Sequence, residues 1–107
     1  MNNELALTES TYYILLALFS PQHGYGIMQQ VEALSNGRVR LAAGTLYGAL
    51  NVLCDKGWIV QLPVEDGSRR KEYRLTLKGL DVLKGELARL RELLENGERI
   101  VEGKGND

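Results

Sequence analysis

The residues of this chain best suited to chemistry are cationic, and they are clustered. Arg69, Arg70 and Lys71 are consecutive, Arg38 and Arg40 are two apart, and Lys56, Arg74 and Lys78 lie in the same stretch. Residues 38–78 carry eight bases against four acids, a net of +4, while residues 1–37 carry −3 and residues 79–107 carry −2. The whole chain is therefore at −1 with a pI of about 5.8, and only its distribution of charge suggests a polyanion. A concentrated basic block is the electrostatic footprint that phosphate attracts. Bases at a strand edge also serve simply to discourage aggregation, so their neighbours must decide.

Other chemistries find little support. His23 is the only histidine and Cys54 the only cysteine among 107 residues, and no second base, nucleophile or metal ligand stands at a motif spacing from either. No enzyme, metal or cofactor is expected. His23 reads as the opening of a helix, and Cys54 as a small core side chain. A lone cysteine forms no internal disulfide, which suits a reducing cytoplasm. The longest apolar run, Tyr12–Phe19, is too short to span a bilayer, so no membrane partner is expected, and Met1–Glu4 lacks the bases of a signal peptide.

The elements that must position the bases follow from periodicity. A first helix is predicted from Thr8, a good N-cap, to Phe19; it is apolar nearly all round and so must be covered on several sides. Ser20-Pro21-Gln22-His23-Gly24 breaks the chain. A second helix, Tyr25–Leu34, has Ile27, Met28, Val31 and Leu34 on one face, and Ser35-Asn36-Gly37 ends it. A third, Ala43–Lys56, buries Leu46, Leu50 and Leu53. Its opposite face offers Gly44, Gly48, Asn51 and Asp55, bordered by Thr45 and Tyr47. Glycine costs about 1 kcal/mol against alanine in a helix, so two on one exposed face suit close approach to another surface, such as a major groove.

Gly57 ends that helix and a hairpin is predicted next. Trp58, Val60 and Leu62 alternate with Ile59 and Gln61, Asp66-Gly67 signals the turn, and the return strand runs over residues 70–76 with the three bases at its start. A fourth helix follows Thr76. Leu80, Leu83, Leu87, Leu90 and Leu94 recur at 3 and 4, the seam of a coiled coil. At ~1.5 Å per residue it would reach about 38 Å, more than so small a core can cover, which points to intersubunit packing.

The predicted fold is mainly α with a small β-hairpin, a winged helix-turn-helix over residues 5–76 with a long C-terminal dimerisation helix over 77–102 and a disordered tail at 103–107. In that order the residues resemble the PadR family of transcriptional regulators. The resemblance rests on Gly44-Thr45-Leu46-Tyr47, Ala49-Leu50, Leu53, Gly57 and Ile59, then Arg70-Lys71, Tyr73-Arg74-Leu75-Thr76 and Lys78-Gly79. His23-Gly24-Tyr25 and Ile27 extend it, so that it covers about residues 5–95. One departure is Leu41-Ala42-Ala43, where the family often has Ser or Asn to cap the recognition helix.

The resemblance implies a homodimeric regulator, usually a repressor, on a pseudo-palindromic operator in double-stranded DNA. It is similar to the short form with a single C-terminal helix. The residues expected at DNA are Tyr25, Arg38, Arg40, Gly44, Thr45, Tyr47, Gly48, Asn51, Arg69, Arg70 and Lys71. Those expected between subunits are Tyr12, Leu16, Phe19, Leu80, Leu83, Leu87, Leu90 and Leu94. Some relatives hold flat hydrophobic molecules between their first and fourth helices, and Tyr12, Tyr13 and Leu16 are the residues expected to meet a small aromatic or hydrophobic effector. The competing expectation, favoured by the low pI, is a winged-helix module for protein contacts without DNA binding.

Overall fold

The computed structural model of the chain describes residues 6–63 and 70–103. Arg69, the Asp66-Gly67 turn and residues 104–107 of the predicted tail lie outside the described residues.

Helix α1 spans Glu9–Ala17, and Thr8 caps it by accepting from the Thr11 N–H at 3.1 Å. The chain then turns through a two-residue strand, β1 (Gln22–His23), into α2 (Gly24–Leu34). Asn36 and Gly37 end α2 in the left-handed region, at φ 55° and 81°. Their N–H groups donate back to the Ala33 and Glu32 carbonyls, satisfying two acceptors the helix leaves open. Buried Ser35 fastens the same turn, its hydroxyl donating to the Glu32 carbonyl and accepting from the Val39 N–H at 2.9 Å.

Helix α3 (Ala43–Asp55) starts at Ala42 with no side-chain cap, as the Leu41-Ala42-Ala43 departure implies. Gly57, at φ 77°, ends it with the paired bonds Gly57 N–H to Cys54 O and Trp58 N–H to Leu53 O. Strands β2 (Ile59–Leu62) and β3 (Glu72–Leu75) then form the antiparallel wing. The hairpin expected from the sequence is in fact part of a three-stranded sheet in the order β1-β3-β2, with Gln22 opposite Tyr73 and His23 opposite Glu72. The phase of β2 also differs from the apolar alternation: Ile59 is the buried residue and Val60 is exposed.

Helix α4 runs over Leu77–Val101. Thr76 anchors its start three ways. Its Oγ1 accepts from the Gly79 N–H at 3.0 Å and donates to the Gly57 carbonyl at 2.6 Å, while its own N–H donates to the Trp58 carbonyl. Leu75 N–H donates to the Leu18 carbonyl, tying the sheet to the end of α1.

One core joins these elements: Ile14, Leu15 and Leu18 of the first helical segment, Ile27 and Val31 of α2, Leu46, Leu50 and Leu53 of α3, Ile59 and Tyr73 of the wing, and Leu83 of α4. Truncating a buried leucine of this kind to alanine costs about 2–5 kcal/mol. The distal half of α4 runs beyond the core and helps to stretch the molecule to 62 × 32 × 20 Å. Three helices, a helix-turn-helix between α2 and α3, and a wing followed by a long helix make this a winged helix-turn-helix architecture. No helix of the described residues is long and apolar enough to cross a membrane.

Candidate nucleic-acid interface

Burying Leu46, Leu50 and Leu53 fixes the rotation of α3. Its other side, with Gly44, Thr45, Tyr47, Gly48 and Asn51, consequently faces outward and is exposed. A Cβ on Gly44 or Gly48 would meet nothing within 4 Å, so the backbone there stands open to an approaching surface.

Beside this face lies an open cleft of about 530 Å³ lined by His23, Gly24, Tyr25, Tyr47, Arg70 and Lys71. Its geometry comes from β1. By pairing with β3, Gln22 and His23 bring the first turn of α2 against the wing at the point where Arg70 and Lys71 lead into that strand. The three sources of polar groups are thus the start of α2, the side of α3 and the root of the wing. His23 caps α2, its Nδ1 accepting from the Gly26 N–H at 3.3 Å. The N-terminus of α2 also carries the positive end of the helix dipole. Tyr25 and Tyr47 are both exposed, and buried Tyr73 lies beneath; burial first, then the nearby Cys54 and Tyr47 groups, push its phenol pKa up.

The predicted contact residues thus divide. Tyr25, Tyr47, Arg70 and Lys71 converge on the cleft, and Thr45, Asn51 and the two α3 glycines share the adjoining helix face. Arg38 and Arg40 do not join them. Arg38 pairs with Glu9 of α1, a contact that raises its pKa, and Arg40 Nε lies 3.4 Å from Glu32 of α2, both exposed. They brace the α2–α3 connection against the two preceding helices. Gly24 and His23 were not among the predicted contacts; their sequence signals were their part in the family resemblance and their position at the start of a helix that carries no acid in its first turn.

The predicted intersubunit residues also divide. Leu83 is 2% exposed and already belongs to the core of its own chain. Tyr12, Leu16 and Leu80 are half-buried, and Tyr12 and Tyr13 stack obliquely with ring centres 5.7 Å apart against the core. Tyr13 and Leu16 pack on the same core. Phe19, Leu87, Leu90 and Leu94 are exposed, together with Val101, which continues their register, and with Leu93 and Ile100, which the heptad count left out. Glu86, inside the stretch of α4 that packs on the domain, is held by Arg89 at 2.6 Å, and its pKa is lowered by that hydrogen bond despite burial.

Comparison with known proteins agrees with this geometry. Residues 13–85 match the Transcriptional regulator PadR-like family. The solved structure of a PadR-like transcription factor from Bacteroides fragilis is 31% identical, with a TM-score of 0.68 over 85% of this chain and 87% of that one. A PadR family transcriptional regulator from Eggerthella lenta is 28% identical, with a TM-score of 0.68 over 85% and 80%. RosR of H. salinarum is 26% identical, with a TM-score of 0.69 over 91% and 92%. A search of curated proteins finds no significant match. With two thirds of its length inside that match, the chain belongs to the PadR-like family, whose members are transcriptional regulators and not enzymes.

Proposed function

We propose that the chain is a homodimeric repressor that binds a pseudo-palindromic operator, with α3 of each subunit in a major groove and the wing along the backbone. The observation that carries this reading is the continuity of the open α3 face with the Tyr25–Tyr47–Arg70–Lys71 cleft. Thr45 and Asn51 have the side chains to address base edges. Arg70 and Lys71 contribute affinity through phosphates, without sequence information. Two such helices related by a dyad read half-sites about one helical turn apart, ~34–36 Å.

The dimer rests on α4. The helix is 25 residues long, and its exposed leucines continue past the domain on to Ile100 and Val101. An apolar stripe of that length on a small protein marks a surface covered by another chain. A second copy supplies the matching stripe by symmetry. Glutamate at both Leu90 and Leu94 is expected to give a folded monomer in sedimentation.

The direct test is a titration of duplex DNA over a range of salt. Each phosphate contact contributes about 0.9 to the slope of log K against log salt, so alanine at both Arg70 and Lys71 should flatten it by about 1.8 and weaken all sequences alike. An unchanged slope refutes the assignment of the wing. A wild-type protein that ignores DNA at low salt refutes the whole reading in favour of a winged-helix module for protein contacts.

A further inference from the structure

Gly24 opens α2, is buried, and has no need of a left-handed backbone, since among the described glycines only Gly37, Gly57 and Gly103 adopt positive φ. An alanine would therefore be conformationally acceptable there, and the reason for glycine must be space. The three heavy atoms nearest a Cβ built at this position all belong to Tyr47. That Cβ would overlap the Tyr47 hydroxyl, and it would lie 2.8 Å from Cζ and 3.4 Å from Cε2. The phenol of an α3 residue thus lies directly over the first turn of α2, in van der Waals contact with its backbone, on the wall of the cleft that Arg70 and Lys71 also line.

We infer that Gly24 is a positioning residue for DNA binding: its missing side chain seats the Tyr47 hydroxyl at the start of α2, where it donates to a backbone phosphate of the duplex alongside Arg70 and Lys71. The inference rests on the DNA-binding reading and adds a division of labour to it. Tyr47 leaves the base-reading face to Thr45 and Asn51 and joins the backbone clamp. Its ring is rigid, so a methyl at position 24 cannot be accommodated by moving the hydroxyl alone. The whole ring must swing, and the donor is then displaced from the place that Gly24 leaves for it.

The signature is a loss of affinity without a loss of charge. The hydroxyl displaces no counterion, so Gly24→Ala should weaken binding to random-sequence duplex roughly ten- to a hundredfold, the worth of one hydrogen bond to an ionised oxygen, while leaving the salt slope unchanged. Tyr47→Phe should do the same. The decisive measurement is the cycle with Tyr47→Ala: once the ring is gone, adding Gly24→Ala should cost nothing further. Melting temperatures of all variants are followed in parallel, because a purely structural role for Gly24 would lower stability and would persist in the Tyr47→Ala background. Wild-type protein that binds DNA, with Gly24→Ala binding equally well or costing as much without Tyr47 as with it, overturns the inference alone. Wild-type protein without affinity for duplex overturns the DNA-binding reading and this inference together.

Discussion

Two glycines about 9 Å apart along α4, by ~1.5 Å per residue, should respond to the same substitution with opposite signs. Gly85 is exposed, and a Cβ there meets nothing within 4 Å. Alanine should act only through helix propensity and stabilise by about 0.8–1 kcal/mol. Gly79 sits in the first turn, where a Cβ would overlap the Trp58 carbonyl oxygen and lie 3.0 Å from its carbon and 2.8 Å from Leu75 Cδ1. That oxygen is held in place by the Thr76 N–H at 3.0 Å, so relief requires the helix to lift from the sheet by on the order of an ångström. Lifting it stretches the Thr76 bonds that anchor α4. Overpacking of this kind costs about 1–3 kcal/mol. Set against at most about 1 kcal/mol of propensity, Gly79→Ala should be destabilising by about 1–2 kcal/mol. Thermal melts at one fixed protein concentration read both variants, since self-association would otherwise shift the midpoints. For a domain of this size each kcal/mol moves Tm by roughly 4–8 °C. Gly85→Ala should melt higher than wild type and Gly79→Ala lower. A Gly79→Ala protein as stable as wild type would refute the close packing of α4 on the start of the wing.

Two further outcomes follow from local contacts. The hydrogen bonds of Arg89 hold the Glu86 carboxyl below the usual range, with help from the Leu7 N–H and against the opposing effect of burial. A depressed native pKa stabilises fully above the unfolded carboxylate value of about 4.3 and loses that contribution as pH falls through the lowered native value. Urea midpoints between neutral and acid pH should therefore decline on the acid side, and Glu86→Gln should flatten that decline while lowering the neutral midpoint. At the start of α2, His23→Ala removes the acceptor of the Gly26 N–H and should cost about 1 kcal/mol, whereas His23→Asn keeps a good cap and should restore it. Equal melting temperatures for the two would argue against capping by His23.

The α elements were legible because each announces its ends. Thr8 and Thr76 cap, Asn36-Gly37 and Gly57 adopt positive φ, and three leucines four and three residues apart orient α3. Strand β1 was not legible: two residues between a proline and a glycine carry no period, and only pairing with β3 makes them a strand. The phase of β2 is not legible because Trp58, Val60 and Leu62 and the buried Ile59 are all apolar, leaving alternation little to contrast. On α4 the heptad placed Leu83 with the exposed leucines, yet the core claims it, because the seam changes neighbours where the helix leaves the domain. At the candidate site, charge clustering groups Arg70 and Lys71, which line the cleft, with Arg38 and Arg40, which pair instead with Glu9 and Glu32. Gly24 carries no chemistry of its own, so only the position of the Tyr47 ring reveals it.

The triple anchoring of Thr76 has a mechanical consequence. The residue is at once the end of the sheet and the cap of α4, and no linker separates the two. The junction has no slack in which a change of angle could be absorbed. A tilt imposed anywhere along α4 reaches the wing and α3 as a rigid lever would deliver it, lengthened over 25 residues of helix. Such a joint holds the angle between α4 and the exposed face of α3 nearly fixed, and a force applied at the far end of α4 is felt at that face.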